Sequence, residues 1–462
     1  MTCFPEREDI PFVLALLNSR FAQFVLAALN PTISNQVGDI ARLPVPEERS
    51  PVLDALVEEC VELVRQESRE SETTYEFVAP PGNVNEVAAR KRLLSEKEAV
   101  IDAEVSRLYG LSDEDLAAID GELSDNASPV DEEGLPGGEK EEGLPGGEGE
   151  EDAAVVAGEL SVEEWGRRWI SYAVGIALGR FEVGAENGLG RGRFDSSVAE
   201  ALKENRLAAP DGILLNDPEQ PLDLAGRVRS ILDLLLGESA AAERINSALG
   251  SGSPQSLLRD WFGRFTGQPA ASFWKHHFQT YRKRPVYWPL QSPGRKFTVW
   301  LFHERLTGDT LYSLRNAVVE PRVRLAERRI EDLKGPAEKE RAARQELERT
   351  RDLADDLRAF SAGIKSVTDG GYTPRIDDGV LLNAAPLRSL LPSWTETKKA
   401  WESLERGEYD WAHQAMDFWP ERVKAACRAN RSFAVAHGLE HLAPPSPAFS
   451  DGGKRGRKRK GS

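Results

Sequence analysis

Residues 282–306 read RKRPVYWPLQSPGRKFTVWLFHERL. Two runs rich in aromatic and β-branched side chains flank Ser292-Pro293-Gly294, a compact turn signal, and this pattern predicts an antiparallel β-hairpin. The rest of the chain reads mainly as helix, so the expected fold class is α+β, predominantly helical. The same stretch is charged. Arg282, Lys283 and Arg284 interleave with Tyr281, Tyr287 and Trp288, while Arg295 and Lys296 lie just beyond the turn. Cations pair with phosphate and exposed rings stack on bases, so these five cations are candidate DNA-binding residues, with Arg295 and Lys296 expected to reach the same nucleic-acid backbone as the first three. The competing reading makes the aromatics core and the cations merely solvated.

Downstream, two charged helices are expected over about 320–333 and 337–361, broken by Gly335-Pro336. In the second, Ala343, Leu347, Thr350, Ala354 and Leu357 follow a four-three spacing that leaves only a narrow apolar stripe. An antiparallel helical hairpin projecting from a larger mixed domain, residues 155–445, follows from that stripe. Asp377-Asp378-Gly379 reads as a tight turn entering a strand, VLLN. Upstream, WGRRWISYAVGIALGRFEVG (165–184) reads as a helix ending in a glycine-rich loop.

The first segment, 1–118, is expected to be helical with a short strand. Phe12, Leu16, Phe21, Phe24, Val25 and Leu29 mark one helix face that Asn30-Pro31 terminates. Ile40 and Leu43 suit the strand, and Pro44 and Pro46 would stop it. A second helix starts near Pro51 with Leu53, Leu56, Val57, Val61 and Val64 on one face. A third carries Leu94, Ile101, Val105 and Leu108 up to Gly110, a C-cap. Between the two domains, residues 119–154 contain EEGLPGGE twice, at Glu132 and Glu141. Gly, Pro and Glu bury too little apolar surface to offset chain ordering, so a disordered, self-repelling linker is expected, and a disordered basic tail at 446–462.

The net charge of −17 argues against a nucleic-acid partner only until it is located. Thirteen acids and one base, Lys140, fall between Asp120 and Asp152, a net −12 that leaves −5 for the remainder. Lys454, Arg455, Arg457, Lys458, Arg459 and Lys460 put six bases into seven residues of the tail and join the candidate DNA-binding set. Cys3, Cys60 and Cys427 are far apart and form no C-x-x-C pair, which points away from a disulfide framework or thiolate metal site. No secretory leader pattern opens the sequence, and polar residues interrupt the apolar stretch 12–29. The expected location is therefore the cytoplasm, with no membrane partner.

Four stretches resemble a known family: NSRFAQFVLAALNPTISNQVGDIARLPVP, VIDAEVSRLYGLSDEDL, the hairpin sequence above, and DDGVLLNAAPL followed by YDWAHQAMDFWPERVKAAC and FAVAHGLEH. Together they resemble, in order, the carboxy-terminal portion of the adenine-specific DNA methyltransferase of bacteriophage-exclusion (BREX) systems, the phage-growth-limitation protein X type. The first two resemble the end of a target-recognition region. The resemblance implies S-adenosylmethionine as the cofactor of the complete enzyme, double-stranded DNA as substrate, and an adenine flipped from the stack.

The residues that do this chemistry in the family are missing here. Asn30-Pro31-Thr32 lacks the second proline and the aromatic ring of an Asn/Asp-Pro-Pro-aromatic motif, and Ala79-Pro80-Pro81-Gly82 lacks the polar residue and the ring. VGAENGLGRGRF (183–194) is glycine-rich but follows a helix instead of the strand a cofactor turn needs. His276-His277 is a poor metal pair, and HGLEH (437–441) has the i, i+4 histidines without the HExxH acid. No catalytic, cofactor or metal residue is therefore assigned, and enzyme activity stays open. The expected function is the DNA-recognition and scaffolding part of such a methyltransferase, inactive alone and paired with a separate catalytic chain or other defence-system subunits. The alternatives are a non-enzymatic protein-interaction component built on the charged helical hairpin, or a truncated remnant.

Overall fold

The computed structural model describes residues 6–30, 37–126, 160–182, 196–220 and 223–443. The EEGLPGGE repeats, the glycine-rich segment 183–194 and the tail cations Lys454, Arg455, Arg457, Lys458, Arg459 and Lys460 lie outside them. The protein is predominantly helical with one small three-stranded antiparallel sheet. It divides into two compact units, one drawn mainly from residues 1–168 and the other mainly from 169–462.

In the first unit the apolar stretch near the start is two helices, Ile10–Asn18 and Arg20–Leu29, bent by 65°. Ser19 makes the break: its backbone is extended, its hydroxyl donates to the Leu16 carbonyl, and its Oγ accepts from the Ala22 N–H. The N-cap satisfies a donor that the helix start would otherwise leave open. Restarting the helix rotates its apolar face, so Ala22 and Leu26 are buried where Phe21, Phe24 and Val25 were expected to lead, and Leu29 is exposed. Phe12, Ala15 and Leu16 pack with Leu53 and Val57 of Pro51–Arg69 and Ile101 and Val105 of Val84–Tyr109. Val61 and Val64, on the same sequence face as Leu53, are exposed. No single helix among the described residues is long and apolar enough to cross a membrane.

The expected strand at Ile40 and Leu43 is not formed. Val37–Ile40 is a short helix, and Leu43 follows in irregular backbone, buried against Ala22 and Leu26. A strand needs a partner ladder, and all three strands among the described residues lie in the second unit. Gly110 does cap its helix, in left-handed conformation at φ 66°. Helix continues at Asp113–Asn126, past residue 119 where the acidic linker was expected to begin.

In the second unit β1 (Ile213–Leu215), β2 (Tyr287–Gln291) and β3 (Thr298–Phe302) form a sheet of order β1-β3-β2. The expected hairpin is present, and its register pairs Tyr287 with Phe302 and Gln291 with Thr298. Trp274, Trp288, Trp300 and Trp394 are almost wholly buried around it, with edge-on contacts such as Phe273–Trp300 at 5.2 Å. Each such ring pair adds about 1 kcal/mol beyond its buried area.

The charged helical hairpin is present, but its break is displaced. Glu320–Lys339 runs through Gly335-Pro336, and the chain turns at Glu340, in extended backbone, before Arg341–Asp369. Pro336 gives up its own N–H, yet Leu333 and Ala337 on either side of it pack against Leu347 of the returning helix. That packing holds the last turn helical. The proximal part does not project: Ala354, Leu357, Phe360 and Ile364 are fully buried. The strand expected at VLLN is the helix Gly379–Ala384. Asp378, buried before it, accepts from the backbone N–H groups of His413 (2.8 Å) and Gln414 (2.7 Å) and so caps His413–Phe418.

Candidate nucleic-acid interface

The hairpin places the candidate cations at its two ends. At the open end, the helix Phe273–Thr280 finishes with Lys283 N–H donating to Phe278 O (2.8 Å) and Arg282 N–H to Gln279 O (3.0 Å). This helix-ending geometry needs left-handed backbone, which Arg282 (φ 47°) and Lys283 (φ 63°) adopt. Pro285 then starts the extended run. Arg282, Lys283 and Arg284 are all exposed, so the loop holds three cations outward.

At the turn, Arg295 N–H donates to Ser292 O at 2.8 Å and Ser292 N–H to Phe297 O at 3.0 Å. The left-handed position of such a turn usually goes to glycine, and here it falls on Arg295 (φ 55°). Arg295 and Lys296 are exposed. The turn is fixed from outside by Asp356 of Arg341–Asp369, whose carboxylate accepts from Ser292 Oγ, from Gly294 N–H at 2.5 Å and from Lys296 N–H at 3.2 Å. Three donors on one buried carboxylate make a rigid joint.

One sequence expectation needs correcting. The rings of Tyr287 and Trp288 are fully buried and offer no stacking surface: they are core. Tyr281 is half-buried, and its hydroxyl accepts from Arg180, whose guanidinium lies 5.0 Å from the Tyr281 ring centre and 5.8 Å from that of Tyr287. The two cation groups lie at opposite ends of β2, so any shared nucleic-acid contact would have to extend along the strand. The five residues of β2 alone span about 16 Å at ~3.3 Å per residue, nearly half a DNA helical turn.

The histidines and prolines singled out in the sequence have structural partners. His277 Nε2 accepts from the backbone N–H groups of Val286 and Tyr287, both at 3.0 Å, where β2 begins. Complete burial, reinforced by Arg180, holds its pKa well below the ordinary imidazole range, so it is neutral. His437 Nε2 pairs with Asp410 O at 2.8 Å. Trp165 Nε1–H donates to Pro81 O at 2.6 Å, which makes the Pro80-Pro81 pair a packing element of the first unit. Asn30 caps a helix end and its amide donates to Asp39 at 2.8 Å. Among the described residues no three His, Cys, Asp or Glu side chains are grouped to hold a metal ion. Sequence reading placed Asp378 in a turn and passed over Asp356, and it missed the capping role of both carboxylates because their partners lie 35–36 and 60–64 residues away.

No protein-family model matches the chain. It is 25% identical over 414 residues to the adenine-specific methyltransferase PglX of Lacticaseibacillus casei (strain Zhang), covering 81% of this chain and 31% of that protein. It is 23% identical over 408 residues to the adenine-specific methyltransferase BrxX of Escherichia coli O9:H4 (strain HS), covering 82% and 32%. The chain is a distant homologue of both. Both matches agree with the family that the quoted stretches resemble, the adenine-specific methyltransferases of phage-exclusion and phage-growth-limitation systems. The chain spans about a third of the length of PglX and BrxX.

Proposed function

We propose that this chain is the DNA-recognition and scaffolding part of a site-specific adenine-N6 DNA methyltransferase of a phage-defence system. It contributes no S-adenosylmethionine site and no Asn/Asp-Pro-Pro-aromatic motif of its own, and methylates only together with a catalytic portion that carries them. One observation supports a DNA-facing role most directly. Every non-glycine residue with left-handed backbone among the described residues is an arginine or lysine: Arg206, Arg282, Lys283 and Arg295. All four are exposed. Left-handed backbone costs a residue with a Cβ about 1 kcal/mol relative to glycine. Keeping a cation there sacrifices stability for displayed charge, and strain of this kind concentrates at binding sites.

The rival protein-interaction reading rests on the helical hairpin. Two of its cations are matched across the hairpin, Arg329 on Glu346 and Arg358 on Glu327, which favours a structural role for those two. The test is binding of the full chain to a fluorescent DNA duplex at low salt, followed by addition of a methyltransferase chain carrying the missing motif together with S-adenosylmethionine. Salt-sensitive binding and the appearance of N6-methyladenine are expected. Absence of duplex binding at low salt would sink the reading.

A further inference from the structure

The hairpin turn meets two carboxylates of one helix face. Asp352 and Asp356 stand four residues apart on Arg341–Asp369, so they project from the same side. Asp356 is buried and occupied by the turn itself, through Ser292 Oγ and the N–H groups of Gly294 and Lys296. Asp352 is exposed and contacts only the side chain of the loop among the interactions seen there: its Oδ2 lies 3.2 Å from Lys296 Nζ. The two carboxylates therefore act differently. Asp356 fixes where the turn sits, and Asp352 touches nothing in it except the charge that it displays.

We propose that Asp352 is an intramolecular competitor of DNA phosphate for Lys296, on a turn whose position is set by Asp356. This rests on the DNA-binding reading above. Both members of the pair are largely in water, at 42% exposure for Lys296 and 69% for Asp352. An exposed pair is weak and readily exchanged, which suits a contact that must open when a phosphate arrives. Arg295, left-handed beside it, has its backbone fixed by the turn and displays its charge without that exchange. Within this one turn, Arg295 makes the first electrostatic contact and Lys296 adds a second by leaving Asp352.

The experiment is a double-mutant cycle read by duplex binding of the full chain over a range of salt. Asp352→Asn is expected to tighten binding about two- to fivefold at low salt, the range that a surface ion pair allows. It should also steepen the salt dependence by about one phosphate contact. In a Lys296→Gln background the same substitution should leave both quantities nearly unchanged. Equal tightening in the two backgrounds would mean that Asp352 acts only as a general negative charge, and the competitor role falls while DNA binding stands. If the unaltered chain binds no duplex at low salt, the functional reading and this inference fail together. Arg295→Gly supplies an independent arm: weaker binding with equal or higher thermal stability is expected. Unchanged binding would remove the turn from the interface, and the competitor role with it.

Discussion

The backbone N–H of Gly294 meets Oδ1 of Asp356 at 2.5 Å although 62 residues separate them. This contact explains the glycine. Gly294 is not one of the residues with positive φ, but a Cβ there would lie 2.8 Å from Asp356 Oδ1. Close approach, rather than backbone freedom, is what excludes a side chain.

Gly294→Ala should therefore destabilise the second unit by about 1–3 kcal/mol through overpacking, read as a drop in the urea midpoint. Asp356→Ala should cost a similar amount by leaving three donors without their acceptor. The double substitution should cost clearly less than the sum, because removing the carboxylate makes room for the methyl group. Strict additivity would mean that the two residues do not act on each other.

Stability should fall in mild acid because of two buried imidazoles. Burial depresses the pKa of His277 and, less strongly, of His303 below the ordinary value of 6.5. Above that pH both are neutral in the folded and unfolded chains and contribute no slope. Below it the unfolded chain takes up protons that the folded chain refuses, so stability is lost as pH drops through about 6.5. Each histidine can contribute up to about 1.4 kcal/mol per pH unit until its folded pKa is reached. Urea unfolding at pH 7.5, 6.5 and 5.5 measures the slope, and His277→Gln should reduce it.

Asp378 should matter more for the fold than its place in a turn implies. Its carboxylate is buried and accepts from two backbone N–H groups, and it also faces His413 Nδ1 at 3.0 Å. Asp378→Ala should cost about 2–3 kcal/mol by leaving the start of His413–Phe418 uncapped in a buried setting. Thermal unfolding that stays within a degree of the unaltered protein would rule this out.

The basic tail should contribute affinity without sequence preference. Removing residues 446–462 deletes six clustered bases. If all six meet phosphate, the slope of log K against log salt should shrink by as much as about 5. Discrimination between duplexes of different sequence should stay unchanged, and a loss of discrimination would assign the tail a base-reading role instead.

The hairpin shows how far sequence reading reaches. Two aromatic runs around a Ser-Pro-Gly turn predict the β2–β3 hairpin, but both faces of β2 are buried, so no polar-apolar alternation announced its register. The narrow stripe on the helix carrying Ala343, Leu347, Ala354 and Leu357 likewise predicts a helix packed along one face. The break at Ser19 was not legible, because a serine hydroxyl can either bond within a continuous helix or cap a new one. The strands expected at Ile40 and VLLN failed for a related reason: short apolar runs suit strand or helix equally, and only an available ladder decides.

What the sequence determined by itself is local: helix-dominated composition, the hairpin, the charge separation between acidic linker and basic tail, and the resemblance to adenine-specific methyltransferases that PglX and BrxX bear out. Tertiary structure alone decided which aromatics are core and which cations face outward. Tyr287 and Trp288 carry the same stacking rings whether buried or exposed, and burial depends on helices far away in the chain. It also decided that Asp356 holds the turn and Asp352 holds Lys296. The helix that carries both reaches the hairpin only through core packing of Ala354, Leu357 and Phe360, and a carboxylate acquires a partner only when folding brings one within hydrogen-bond reach.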